Sequence, residues 1–328
     1  MEIFLGVVTF LVGLGVMLFG VKMTSESLER TTGSRFRNVV TKATKNPFGA
    51  AGVGLGFTAI LQSSTASMGL FAALTSAGVI TLTQAVGVVF GINVGASIVH
   101  GVLIVGALKV LKILSLVIIV GVFILIFSKS LKVKNFARLF IFIGFLFLGI
   151  TMTSDGMMAL NDAQVFDSFT NFINNPVLIL LIFILITCVL QTSLGTFTVL
   201  VSFLTAGVIS AEVAVWGVLG LNLGTALSSM LVTLGGTIDA KRMGFVHVMF
   251  NVVGVILFCL LLAFVPLGAY LESWLGNPMY VVLLFDIAFN VVIALGLMPF
   301  QKHITKLAAI TFKEKKKRRQ QSVSLEML

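Results

Sequence analysis

Charge is the scarcest commodity in this sequence. Only 10% of its 328 residues are Asp, Glu, Lys or Arg, and just 12 are acidic, where a soluble domain carries about 25% charged residues. So few charges cannot cover a water-facing surface. That excludes a soluble globular chain and predicts an all-α polytopic membrane protein. Cysteine is nearly absent as well. Cys188 and Cys259 both sit in apolar runs, which excludes a disulfide framework and a thiolate metal site. No basic segment precedes the apolar run from Ile3 to about Val21, so this run reads as a retained spanning helix rather than a cleaved signal. No Lys or Arg lies in the interior of the spans delimited below, Lys22 and Arg138 standing at span ends, and Asp286 is the one carboxylate deep in a span. The net charge of +10 therefore reports topology rather than nucleic-acid binding.

What is present is 58% hydrophobic. Apolar runs long enough to cross the hydrocarbon lie near 3–22, 84–108, 113–128, 138–154, 213–235, 244–265 and 280–300, which predicts about seven full spans. The stretches 46–80 and 175–210 are apolar but interrupted midway by a polar cluster. Each begins after Asn-Pro and ends at Ala-Gly, sensible helix limits. Each is predicted to be a re-entrant hairpin: a half-helix in, a polar tip, a half-helix back.

The sequence also repeats. Residues 46–98 and 175–227 align without a gap at an offset of 129. Gln62-Ser63-Ser64 matches Gln191-Thr192-Ser193, and Gly91, Asn93 and Gly95 match Gly220, Asn222 and Gly224. Upstream, Gly20 and Met23 match Gly149 and Met152. Duplicated polar clusters inside apolar sequence are the pattern of a secondary transporter with internal repeats. The predicted organisation is a first repeat over 1–137, a second over 138–265, an additional transmembrane helix over 266–300 and a basic cytoplasmic tail over 301–328.

Seven crossings with a cytoplasmic C-terminus place 20 of the 22 Lys and Arg inside, leaving Lys109 and Lys112 outside, as the positive-inside rule requires. The N-terminus is then outside. Three spans per repeat is an odd number, so the second copy enters the membrane upside down. The two hairpins would open to opposite sides, which is the frame for alternating access. The run Lys313 to Arg319 reads as a topology and anionic-lipid signal.

The first tip, Thr58, Gln62, Ser63, Ser64, Thr65 and Ser67, offers hydroxyls and an amide. The second offers Gln191, Thr192, Ser193, Thr196 and Thr198. Backbone N–H groups at a half-helix start favour an anion, and neutral side-chain oxygens suit a hard cation such as Na+. Asn93 and Asn222 each follow their glutamine by 31 residues, with Ser97, Thr225 and Ser228 within two turns. Without a fixed Lys or Arg, two helix ends of roughly half a charge each do not neutralise a divalent anion. Cation–anion symport follows as an expectation. Isolated residues such as Ser115 and Thr233 read as interhelical hydrogen-bonding groups, and His100 and His247 as helix-packing histidines. Asp286 is open between an ion or proton site and a structural hydrogen-bonding role. No Ser/His or Ser/Lys pairing and no metal-ligand cluster points to an enzyme.

These motifs resemble the type II sodium–phosphate cotransporter family, whose two inverted repeats each carry a Gln-Ser-Ser hairpin motif. The likeness covers roughly residues 5–300 and includes Gln62-Ser63-Ser64-Thr65-Ala66-Ser67, Gln191-Thr192-Ser193, the Asn-x-Gly segments at Asn93 and Asn222, and His247-Val248-Met249-Phe250-Asn251. The resemblance implies Na+-coupled inorganic phosphate symport in a bacterial-type inner (cell) membrane, with no organic cofactor. It implies phosphate contacts at Gln62, Ser63, Ser64, Thr65, Gln191, Thr192 and Ser193. It implies Na+ ligands among Gln62, Ser64, Asn93, Ser97, Gln191, Ser193, Thr196, Asn222, Thr225 and Ser228, with Asn251 and Asp286 as further candidates. Leu194 replaces a hydroxyl residue of the motif, and Ala96 stands where the second copy has Thr225, so the halves are not chemically equivalent. Many bacterial relatives add a PhoU-like helical domain, and this sequence is expected to be a short form without one. Another oxyanion or a dicarboxylate is the alternative cargo, and an anion-selective channel the alternative class.

Overall fold

The computed structural model describes residues 1–29, 40–114 and 116–313. Arg30, Arg35 and Arg37 of the first basic loop, Ser115, and the basic run from Lys315 to Arg319 lie outside the described residues. Among the described residues the chain is helical, with no strand. In chain order the helices are α1 (Glu2–Glu29), α2 (Pro47–Leu61), α3 (Ser64–Ser76), α4 (Leu82–Leu114), α5 (Leu116–Phe127) and α6 (Leu131–Asp162). There follow α7 (Pro176–Leu190), α8 (Ser193–Thr205), α9 (Ala211–Leu234), α10 (Ile238–Phe264), α11 (Leu267–Leu275), α12 (Pro278–Leu297) and α13 (Gln301–Thr311).

Six of these stretches are long and apolar enough to cross a membrane: in α1, α4, α6, α9, α10, and in α12 continued through a 3-10 turn into α13. The sequence predicts seven. The seventh expected run, 113–128, includes Ser115, which lies outside the described residues; of the rest, 116–127 forms α5, whose 12 described residues cover roughly 18 Å at about 1.5 Å per residue. The start of the expected tail is helical, as α13. The two interrupted stretches fold as anticipated at the level of helices, α2 and α3 in one and α7 and α8 in the other.

The copies resemble each other in packing as well as sequence. Helices α1 and α6 are counterparts at the offset of 129, and they pack antiparallel. Gly20 abuts Leu146 while its counterpart Gly149 abuts Met17, itself the counterpart of Leu146. Within the first copy α2 lies on α4 with Ala51 over Gly91. Within the second, α7 lies on α9 with Leu180 over Gly220, the same contact one copy on. A Cβ at Gly91 or Gly220 would collide with the facing backbone carbonyl, so only glycine lets these helices come so close.

Large apolar side chains cover much of the outside. On α7 they form a stripe, Val177, Leu181, Leu185 and Val189, at the four-residue spacing of one helix face. Phe123, Ile126 and Phe127 on α5 and Ile256, Leu257 and Leu260 on α10 continue the exposed apolar surface. Water would disfavour such a belt and lipid accepts it. The multi-pass membrane character read from composition is thus visible in the fold. Phe90, Phe183, Phe250, Phe285 and Phe289 fill the interior between α4, α7, α9, α10 and α12.

Candidate anion and cation site

Both tips are built by the same local rules. Asn46 caps α2 by accepting from Gly49 N at 2.7 Å, and Asn175 caps α7 by accepting from Val177 N and Leu178 N. Pro47 and Pro176 occupy the first turn, where a missing N–H costs nothing. Each half-helix ends on a glutamine in the left-handed region, Gln62 at φ 53° and ψ 24° and Gln191 at φ 52° and ψ 25°. For an L-residue that conformation costs roughly 1–2 kcal/mol. The next residue is extended and caps the returning helix. Ser63 Oγ accepts from Ala66 N at 3.1 Å, and Thr192 Oγ1 accepts from Gly195 N at 3.4 Å. Other N–H groups in the first turns of α3 and α8 have no intrahelical acceptor and carry the positive end of the helix dipole.

The two tips share one cavity. It is too narrow to hold a water molecule. Gln62, Ser63 and Ser64 line it from the first tip, with Thr58 one turn back, and Ser193 and Leu194 line it from the second. Ala96, Val99 and His100 of α4 close the remaining side. Three of these residues hold a buried polar atom without a hydrogen-bond partner: Thr58 Oγ1, Gln62 Oε1 and His100 Nε2. The expected phosphate contacts are thereby divided. Gln62, Ser63, Ser64 and Ser193 reach the cavity. Thr65 instead turns to Ser229, 3.5 Å between hydroxyls. Thr192 is used as a cap, and the Gln191 side chain is exposed.

A buried polar ladder runs beside the cavity. Asn93, Ser97 and His100 share one face of α4 at spacings of four and three. Asn93 Oδ1 accepts from Asn251 Nδ2 at 3.1 Å and lies 3.0 Å from His247 Nε2. Ser97 Oγ accepts from Asn290 Nδ2 at 2.7 Å. The Asp286 carboxylate is 0% exposed. Its Oδ2 is 2.8 Å from His100 Nδ1, and its Oδ1 accepts from Asn222 Nδ2 at 2.8 Å and from Asn290 Nδ2 at 3.2 Å. Asn93 and Asn222 are placed alike, each donating to the carbonyl four residues back, of Val89 and Val218.

The expected Na+ ligands therefore fall into separate groups. Asn93 lies with Asn251, while Ser97 and Asn222 lie with Asp286. Thr225 and Ser228 donate to carbonyls of Leu221, Gly224 and Thr187. Thr196 is fully buried and donates to Thr192 O. Among the described residues no cluster of three His, Cys, Asp or Glu is placed to hold a metal. Two participants escape a reading by motif. Asn290 joins both copies by reaching Ser97 and Asn222, and the signal for it was a second polar residue one turn after Asp286 in an apolar helix. His100, read as a packing histidine, lines the cavity.

The Na+/Pi-cotransporter family model matches the chain twice, over residues 16–155 and 147–298. The "Uncharacterized protein YqeW" of Bacillus subtilis is 28% identical over 284 residues, covering 86% of this chain and 90% of that protein. The "Putative inorganic phosphate export protein YjbB" of Escherichia coli K12 is 26% identical over 290 residues, covering 87% of this chain and 52% of that protein. YjbB of Salmonella typhimurium matches to the same extent. The chain thus spans about half the length of the YjbB proteins. No solved structure matches it.

Proposed function

This chain belongs to the Na+/Pi-cotransporter family, and we propose that it is a secondary active carrier coupling inorganic phosphate to Na+ across the cell membrane by alternating access. The observation that carries the reading is the shared cavity, with serines of both tips on its walls. An oxyanion between Ser63, Ser64 and Ser193 would take hydroxyl donors and the free N–H groups opening α3 and α8. The cavity is too tight for water, so loading requires the tips to part, from one side or the other. Na+ would use the neutral oxygens nearby, Thr58 Oγ1 and Gln62 Oε1 among them, and the Asn and Ser groups of the ladder.

The antiparallel packing of α1 on α6 supports an inverted relation between the copies, because counterparts then cross in opposite directions. An even number of crossings must separate them. In this reading α4 crosses one way and α5 belongs to the return, α5 lying antiparallel to α6 with Gly121 against Ile141 and Gly144 against Ile118. An outside N-terminus and cytoplasmic C-terminus follow from the basic residues.

The name of the YjbB relatives describes export. An alternating-access carrier runs along the sum of its gradients, so the same site serves either direction. A dicarboxylate or another oxyanion remains the alternative cargo. The test is radiolabelled phosphate flux in proteoliposomes of the full chain. An inward Na+ gradient is expected to drive accumulation above equilibrium. Flux indifferent to Na+ would overturn the coupling, and current without accumulation would mean a channel.

A further inference from the structure

We propose that His100 binds the transported oxyanion directly through Nε2, as a ring N–H donor that Asp286 holds in place. The proposal rests on the phosphate-carrier reading and adds to it a contact outside both hairpin tips. His100 is 2% exposed and lines the cavity between the tips. Its Nδ1 is engaged by Asp286 Oδ2 at 2.8 Å, and its Nε2 has no partner. The ring cannot drift, because it stacks on Phe197 at 4.6 Å between centroids and 12° between planes. Phe197 is one turn into α8 from Ser193, so the ring packs against the helix that carries the second tip.

The ring's role follows from its partners. Asn222 and Asn290 donate to Oδ1 of Asp286, and the His100 Nδ1 hydrogen-bonds to Oδ2. His247, on the neighbouring α10, is bonded to Asn93 instead. With Nδ1 committed to Asp286, Nε2 is the ring atom left to face the cavity, and in the proposal it carries the N–H that meets the oxyanion.

The experiment compares full-length wild type, H100F/D286N and H100Q in proteoliposomes under an Na+ gradient. H100F/D286N keeps the stacking ring and an acceptor for Asn222 while removing the ring N–H and its carboxylate partner together. Its phosphate KM is expected to rise about tenfold or more, the loss typical of one charge-assisted hydrogen bond. H100Q, which restores an N–H, is expected to recover part of the loss. Unchanged phosphate KM in H100F/D286N refutes the role of His100 while leaving the carrier reading intact. Wild type that moves no phosphate refutes that reading itself. A measurement on the wild-type chain needs no variant to fold: with its three histidines labelled, phosphate added with Na+ should shift a ring-nitrogen NMR resonance. No histidine resonance moving would overturn the proposal.

Discussion

Replacing Gln62 with glycine separates strain from chemistry at the first tip. Gln62 sits at φ 53°, a conformation that costs an L-residue roughly 1–2 kcal/mol and glycine nothing. Its Oε1 is buried without a partner, a further desolvation cost of about 1–3 kcal/mol. Against these gains stands the greater chain entropy that glycine gives the unfolded state, roughly 0.5–1 kcal/mol, and some lost packing. The sum favours the variant by about 1 kcal/mol or more, so Q62G is expected to melt on the order of 1–2 °C higher. It is also expected to transport phosphate poorly, since the amide faces the cavity. The mirror change Q191G relieves the same backbone strain, but its side chain is exposed and outside the cavity. It should stabilise less and impair transport less. Thermal unfolding in detergent and labelled phosphate uptake, run on the same preparations, check both halves. A Q62G protein that melts lower than wild type would refute the strain argument, and one that transports normally would refute the role given to the amide.

Ser64→Ala and Ser193→Ala are each expected to impair uptake while leaving membrane insertion and melting nearly unchanged, and wild-type rates in both would make the tips scaffolding. Asp286→Leu removes the acceptor shared by His100, Asn222 and Asn290 and is expected to cost about 3–5 kcal/mol, seen as loss of monodisperse protein on size-exclusion chromatography. Gly220→Val drives a side chain into the Leu180 carbonyl and should destabilise by roughly 1–3 kcal/mol. Gly15→Ala meets open space and should be neutral or slightly stabilising by thermal shift.

Much of the helical order was legible before any coordinate, and for identifiable reasons. Asn46-Pro47 and Asn175-Pro176 announce helix starts because proline fixes φ and asparagine accepts from the first N–H groups. The duplicated Gln-Ser/Thr-Ser clusters mark the breaks because a polar run inside apolar sequence has to face something wet or be buried. Side-chain direction was the blind spot. Gln62 and Gln191 share a motif and a backbone conformation, yet one lines the cavity and the other is exposed. Asn222 meets Asp286 and Asn290 across 64 and 68 residues of chain, a pairing set by how α9 and α12 pack and invisible to spacing. His100 looked like a packing residue because one sequence does not show that Asp286 would occupy only one of its nitrogens.

The most direct measurement places one cysteine in each tip, Ser64→Cys and Ser193→Cys, in a background lacking Cys188 and Cys259, and follows disulfide formation in native membranes. Two tips closing on one oxyanion should cross-link readily. Tips that never cross-link would contradict a substrate site formed between them.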